Sequence, residues 1–276
     1  MKKKLQNIKN LNMISLIQKL RKNTDAGVID CKNALIQSNG NIELAVENMR
    51  KLGIIKATKN INNITTQGII NTKIKNKYGV ILEVNCQTDF VAKCLIFKEF
   101  FKKILNFAIL NKITDIKILK KHFEEERIIC AVKVNENINI HRFAYLHGEI
   151  LGSYVHYSRI GVLTLAKNIN QELLKHISMH IAASKPKFIT SKDISNEIIN
   201  KEYEIQLNIA MKSGKSKENS EKMIAGRMKT FCNNITLLNQ PFIMDPKKLI
   251  KQVLKEHNSN IINFIRFELG ENIKLN

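Results

Sequence analysis

The sequence predicts an α+β fold, antiparallel sheets with helices gathered beside them. Three observations lead there. Period-two alternation marks two paired strands, 68–75 and 78–87, joined across Asn76-Lys77 as a tight hairpin. A 3.6-residue period marks helices, most clearly where Phe97, Phe100, Phe101, Ile104, Leu105 and Ala108 fall at i, i+3, i+4, i+7, i+8 and i+11. Strands and helices then alternate without a regular strand–helix–strand rhythm, which speaks against a doubly wound parallel sheet.

Taken in order, residues 1–12 are rich in Lys and Asn and are expected to be a frayed, disordered extension, with Met13 a possible second start. Residues 14–52 predict three short helices. Leu16, Ile17 and Leu20 stripe the first; Thr24-Asp25 offers a cap for the second, which carries Val28, Ala34 and Leu35. Asn39-Gly40 is a stop-and-turn, and Asn41 caps a third helix with Ala45, Val46 and Met49 inside. A bundle this small is marginal alone and suits a docking module. Residues 56–66 are polar and suit a linker.

After the strand pair and the phenylalanine-rich helix, a second helical stretch is expected near 116–126. Strands near 128–134, 138–145, 149–156 and 161–166 follow. Residues 172–184 predict a helix stopped by Pro186. Residues 193–231 predict a protruding helical hairpin, with Ile194, Ile198, Ile205 and Ile209 on one arm, a turn at Ser213-Gly214-Lys215, and Ile224, Met228 and Phe231 on the other. Pro241 marks re-entry to the body, and a helix near 248–257 and a strand 261–269 complete it.

The chain has 276 residues, is 44% hydrophobic and 25% charged, and can form a sizeable core. Its net charge of +21 admits a nucleic-acid or other acidic partner, but the lysines are spread along the whole chain, with no Arg-rich block among aromatics. Enrichment in Lys, Asn and Ile is the favoured explanation, and nucleic acid is an unlikely partner on this reading. The five cysteines include no C-x-x-C pair and predict reduced thiols, not a disulfide framework or zinc ribbon. No apolar run nears the ~18 residues of a membrane span. Met-Lys-Lys-Lys is followed by no apolar signal-peptide region, so a cytoplasmic protein without membrane attachment is expected.

Candidate chemistry is sparse. Gly214-Lys215-Ser216 lacks the glycine five residues earlier that a phosphate loop needs, Ile209 standing there instead. His176 and His180 lie four apart on one helix, without a third ligand or a Glu between them, and predict surface or partly buried helix histidines. Cys86, on the apolar face of a strand, predicts an inert core thiol; a thiol-transfer enzyme using Cys86 or Cys94 is the remoter alternative. No triad or paired-carboxylate site is evident, and neither metal nor cofactor is expected. The residues favour a binding protein over an enzyme.

The most informative stretch is 79–93. Val80, Leu82, Val84 and Cys86 share one strand face and Ile81, Glu83, Asn85 and Gln87 the other, a half-buried strand signal. It runs into Gln87-Thr88-Asp89-Phe90, where Thr88 or Asp89 can cap the next helix. Asp89 and Phe90 therefore sit at a tight strand-to-helix corner. An acid beside a large aromatic there is either a capped, buried elbow, the plainer reading, or a probe pushed into another molecule.

Asn85-Cys86-Gln87-Thr88-Asp89-Phe90-Val91-Ala92 closely resembles the elongation factor Ts family. Further motifs occur in order: Leu20-Arg21, Asp30-Cys31-Lys32, Glu47-Asn48-Met49-Arg50, Phe123-Glu124-Glu125-Glu126-Arg127, Glu136-Asn137-Ile138, Met179 through Pro186, Leu254-Lys255-Glu256-His257-Asn258 and Phe264 through Glu268. Together they cover roughly 14–272. The resemblance implies a ubiquitin-associated-like bundle over 13–55, a linker over 56–66, a two-part core over 67–148 and over 149–190 with 239–276, and a helical hairpin, a candidate homodimer contact, over 191–238.

It also implies a guanine-nucleotide exchange factor that meets elongation factor Tu, GDP-bound and nucleotide-free. Thr88, Asp89, Phe90 and Val91 would enter the partner's GTPase domain, where Asp89 and Phe90 disturb its magnesium and phosphate loop. Arg21, Val28 and Ile29 match a docking surface on the bundle, and His156 a second core contact. Val28 and Ile29 stand where the family usually has longer, often Met, side chains, and Tyr157 where a small residue such as Gly is common. Many members continue past the last core strand into a further helix that also touches the partner, so docking by this chain is expected to be distributed differently.

Overall fold

The computed structural model describes residues 2–24, 27–49, 51, 63–212 and 217–271, with the side chains of 2–12 and 217–219 and that of Lys212 outside the description. Three helices come first: α1 (Lys2–Thr24), α2 (Val28–Gln37) and α3 (42–49). They close on Leu20, Cys31, Ala34, Leu35 and Ala45, all buried. Where a frayed start over 1–12 is expected, α1 already begins at Lys2: neither Pro nor Gly interrupts 2–24, so nothing local stops the helix. Thr24 does not cap α2. Its hydroxyl donates back to the Leu20 carbonyl (2.7 Å), and Gly27 takes the cap position without a side-chain bond; Asp25 lies outside the described residues. Asn41 caps α3 as expected, its Oδ1 accepting from the Leu44 amide at 3.0 Å.

The core is four layers. Strands β1 (Gln67–Lys75), β2 (Tyr78–Cys86) and β3 (Asn139–His147) form one antiparallel sheet with β2 central. Strands β4 (Ile150–His156), β5 (Ile160–Lys167) and β8 (Asn260–Glu268) form a second, with β5 central. Helices α4 (Asp89–Lys93), α5 (Leu95–Leu110), α6 (Ile116–His122) and α7 (Glu124–Val134) belong to the first sheet's outer side. There Val80, Leu82, Val84 and Cys86 meet Phe97, Phe100, Phe101 and Ile104. Helices α8 (Gln171–Ser184) and α11 (Ile250–Glu256) cover the second sheet through Leu174, Ile177, Ile181, Val253 and Leu254. Between the sheets lie Ile70, Ile81, Leu151, Leu163 and Phe267. The sheets come close where side chains are missing: a Cβ on Gly161 would stand 2.5 Å from Ile70 Cγ2 and 3.1 Å from Ile81 Cδ1.

Two expectations for this region are corrected. The segment 128–134 is helical, the body of α7, not a strand. Its β-branched residues read as extended, but Glu124, Glu125 and Glu126 occupy a helical first turn, Cys130 and Ala131 face the core, and Asn135 ends the helix in a left-handed conformation (φ 56°). Strand β2 is buried on both faces, not one, because the second sheet covers what a lone sheet would leave wet. Glu83 is therefore fully buried, and Arg142 Nε meets its Oε2 at 2.5 Å. Arg142 also donates to the Glu268 carbonyl at 2.7 Å and lies over the Phe267 ring.

Helices α9 (Asn196–Lys212) and α10 (Lys217–Ile235) make the two-helix arm; its turn, with Gly214-Lys215-Ser216, lies outside the described residues. The expected stripe does not all face inward. Ile194 and Ile224 are buried as expected, but Ile205 and Ile209 are exposed, and Ala210 takes an enclosed position on the first arm. A short pair, β6 (Pro241–Phe242) with β7 (Asp245–Leu249), precedes α11. Much of the expected linker, 52–62, also lies outside the description. Its end is tied to the core, Asn63 O and Thr65 O accepting from Asn137 Nδ2 (3.0 Å) and Asn85 Nδ2 (3.3 Å). Among the described residues no helix is long and apolar enough to cross a membrane.

Candidate functional site

At the end of β2 the chain must turn from the sheet into a helix. Thr88 makes that turn in an extended conformation (φ −117°, ψ 157°) and caps α4, its Oγ1 accepting from the Val91 amide at 3.4 Å. The expected single helix is two. Cys94 (φ −71°, ψ 153°) interrupts it, leaving α4 as a separate five-residue turn ahead of α5.

One carboxylate fixes this corner. Glu136 Oε2 accepts from the amides of Gln87 and Thr88, both at 3.0 Å, and its Oε1 accepts from the Thr88 hydroxyl at 2.6 Å. The Cys86 thiol donates to the Thr88 carbonyl at 3.1 Å. Val91 and Ala92 pack down on the first core. The corner is thus held from below by hydrogen bonds to an ionised group, the stronger kind.

What it holds up is open to solvent. Phe90 is 80% exposed, the opposite of the buried elbow. Asp89 stands beside it with Lys93 Nζ at 2.6 Å, and that hydrogen-bonded ammonium holds the Asp89 carboxyl below the usual carboxylate range. Leu95, the first residue of α5, adds a second projecting apolar side chain at 75% exposure, one that the sequence pattern did not single out.

His156 ends β4 at the turn into β5. Tyr154, two residues earlier and on the same strand face, reaches His156 Nδ1 with its hydroxyl (3.0 Å) and stacks on the imidazole (centroids 6.1 Å, 29°). Tyr157 covers another side edge-on, with centroids 4.4 Å apart. Tyr157 and Ser158 both have positive φ (48° and 58°), and the Arg159 amide closes the turn on the His156 carbonyl at 2.9 Å. This is a turn that glycine or asparagine would make most easily.

Gln67 links the turn to the corner. It pairs with Cys86 across the β1–β2 ladder, and its Oε1 accepts from Arg159 Nη1 at 3.1 Å. Ile70 N donates to Ser158 O at 2.8 Å, tying the same turn to the edge of the first sheet. Thr88, Asp89, Phe90 and Val91 therefore form one group to which His156 is structurally coupled. Arg21, Val28 and Ile29 lie elsewhere, on the bundle: Arg21 in the last turn of α1, Val28 and Ile29 opening α2, all exposed.

Of the remaining chemical candidates, Cys94 and His176 are partly buried, while Cys86 and His180 are part of the interior. Cys86 is buried, and burial first, then the nearby Glu136, pushes its thiol up to about 12, so almost no thiolate exists near neutrality. His180 is fully buried, not a surface or partly buried histidine, because Gln240 and the Ile243 amide satisfy its ring nitrogens inside the core: Nε2 lies 2.9 Å from Gln240 Oε1 and Nδ1 accepts from the Ile243 amide at 3.3 Å. Among the described residues, no three His, Cys, Asp or Glu side chains are grouped to hold a metal ion.

Glu136 was legible only as part of a family motif. Its partners lie 48 and 49 residues earlier, and no local pattern announces the contact. Tyr154 had a local signal, the i, i+2 spacing that puts it on the same strand face as His156.

Fold and site together define a class: an α+β protein with a helical bundle, a two-helix arm and a braced corner that projects an exposed phenylalanine. The family described as Elongation factor TS matches residues 87–271, beginning at the corner itself. Curated proteins named Elongation factor Ts are similar over more of the chain. That of Escherichia coli O139:H28 (strain E24377A / ETEC) is 56% identical over 260 residues, 94% of this chain and 92% of the relative. That of Serratia proteamaculans (strain 568) is 56% identical over 259 residues with the same coverage. The chain belongs to the elongation factor Ts family of translation elongation factors.

Proposed function

We propose that this chain is the guanine-nucleotide exchange factor of translation elongation, acting in the cytoplasm on elongation factor Tu. One observation carries the reading: Phe90 stands 80% exposed beside an ionised Asp89, on a corner braced by Glu136. A GTPase holds GDP through its phosphate loop and a magnesium ion. A protein that binds better to a distorted form of that loop must weaken GDP by the same factor. Phe90 is the wedge, and its burial in the partner contributes roughly 1.5–3 kcal/mol. Asp89 is a charged acceptor that competes for the groups ordering the magnesium.

Thr88 and Val91 frame the wedge, and His156 makes a second contact near the phosphate site. Arg21, Val28 and Ile29 supply docking energy from the bundle. The chain binds both the GDP-bound and the nucleotide-free partner, forms no covalent intermediate, and needs no cofactor of its own. The α9–α10 arm is the candidate surface for self-association.

The test is stopped-flow release of a fluorescent GDP from elongation factor Tu. Phe90→Ala should keep the fold and slow release about 10- to 100-fold, following the burial energy above. An unchanged rate at saturating factor removes the wedge. The net charge of +21 favours a second reading, a polyanion-binding protein. A salt titration of RNA binding separates the two, since phosphate contacts give a steep loss of affinity with log salt.

A further inference from the structure

We infer that Tyr154 is a positioning residue that sets which imidazole nitrogen of His156 is presented outward as a hydrogen-bond donor. This rests on the reading above that His156 meets the partner. The Tyr154 ring is half-buried and packed against the second core, so its hydroxyl starts from a fixed base. That hydroxyl lies 3.0 Å from His156 Nδ1, with the two rings stacked. The Tyr157 ring closes another side of the imidazole. The histidine at the tip of β4 therefore contacts two aromatic rings and is tethered through one nitrogen.

Chemistry decides the direction of the tether. A phenol O–H is a better proton donor than a neutral imidazole N–H, and an imidazole nitrogen a better acceptor than a phenol oxygen. Tyr154 donates and Nδ1 accepts. In the neutral ring the proton then resides on Nε2, since one nitrogen donates while the other accepts. The two nitrogens diverge across the ring, so Nε2–H is directed away from Tyr154. His156 offers one oriented N–H donor, suited to an acceptor oxygen on the partner, a carbonyl or a phosphate. Without Tyr154 the tautomer and the ring orientation would both be free, and binding would have to select one.

Two measurements on the full chain test this. Long-range 15N NMR of the histidine rings at pH 8.5 reads the tautomer directly. His156 should be predominantly protonated at Nε2, and Tyr154→Phe, which keeps the ring and its packing, should return a mixture. GDP release from elongation factor Tu reads the consequence. Tyr154→Phe should raise the half-saturating concentration about three- to tenfold and leave the limiting rate nearly unchanged. His156→Gln, whose amide N–H₂ can stand in for Nε2–H, should retain more activity than His156→Asn, whose amide is at the Nδ1 position.

A wild-type His156 protonated mainly at Nδ1 overturns the proposal, as does a Tyr154→Phe variant with unchanged tautomer and half-saturation. If His156→Ala exchanges like the unaltered chain, the outward donor has no role and the proposal falls, whereas the Phe90→Ala result stands separately. If the unaltered chain fails to accelerate GDP release at all, it is the exchange-factor reading that has failed.

Discussion

Glu136 grips Thr88 twice, accepting its amide at 3.0 Å through one oxygen and its hydroxyl at 2.6 Å through the other. The corner that lifts Phe90 into solvent is thereby braced from a part of the chain far away in sequence. Removing the brace should leave Phe90 in place chemically but unsupported. Glu136→Ala strands two amides and a hydroxyl; hydrogen bonds to a charged group are each worth roughly 1.5–3 kcal/mol, but water entering this half-buried site replaces most of them. The expected outcome is a loss of about 2–3 kcal/mol in urea unfolding, lost hydrogen-exchange protection at Thr88, and slower GDP release from elongation factor Tu. Unchanged protection at Thr88 would show that the corner is held by its packing alone.

Tyr157 occupies a left-handed position (φ 48°) that costs an ordinary side chain about 1–2 kcal/mol. Glycine would relieve that strain but gives up roughly 0.5–1 kcal/mol to the greater freedom of the unfolded chain, along with the ring contact to His156. Tyr157→Gly should therefore change thermal stability very little, whereas Tyr157→Val, β-branched and ill-suited to positive φ, should lower it by about 1–2 kcal/mol. A calorimetric comparison of the two variants checks this. Equal effects would mean that the ring, not the backbone, dominates at this turn.

Gly161 sets the distance between the two sheets. An added methyl would stand 2.5 Å from Ile70 Cγ2, on a β-branched side chain with little rotational freedom. Gly161→Ala should cost about 1–3 kcal/mol by overpacking. It should lower the urea midpoint without changing the slope of the unfolding curve. A variant as stable as the parent would show that the sheets can slide apart.

His180 should make stability acid-sensitive. Burial, opposed only by its bond to Gln240, lowers its folded-state pKa below the ordinary value of 6.5. The unfolded chain then binds the proton first, so the contribution is complete above about pH 6.5 and is lost as pH falls through the lowered value. Urea midpoints from pH 7.5 to 5 should decline, and His180→Gln should flatten the decline whatever its effect at pH 7.5. Parallel curves would assign the acid sensitivity to other groups.

Local order was legible wherever one segment decides its own fate. The β1–β2 hairpin, the α5 stripe from Phe97 to Ala108 and the Asn41 cap follow from spacing alone. What failed depended on neighbours distant in sequence. Glu83 looked like the wet side of a strand until a second sheet covered it. The 128–134 run looked extended because its isoleucines and valines favour strands, while its packing against α5 made it a helix. The corner's position could be read from Thr88 and the apolar run after it. Its exposure could not be read from those residues alone, where a buried elbow is the plainer reading; only the family motif pointed outward.

The β4–β5 turn is stitched on both sides, Ser158 O receiving the Ile70 amide and Arg159 O the Leu269 amide, each at 2.8 Å. With Gln67 lying between Arg159 and the β2 terminus, the turn that carries His156 is joined to the strand that leads into the Phe90 corner. On the proposed reading, a partner that meets both His156 and Phe90 should be the one that adjusts, because the backbone beneath both is tied into the core.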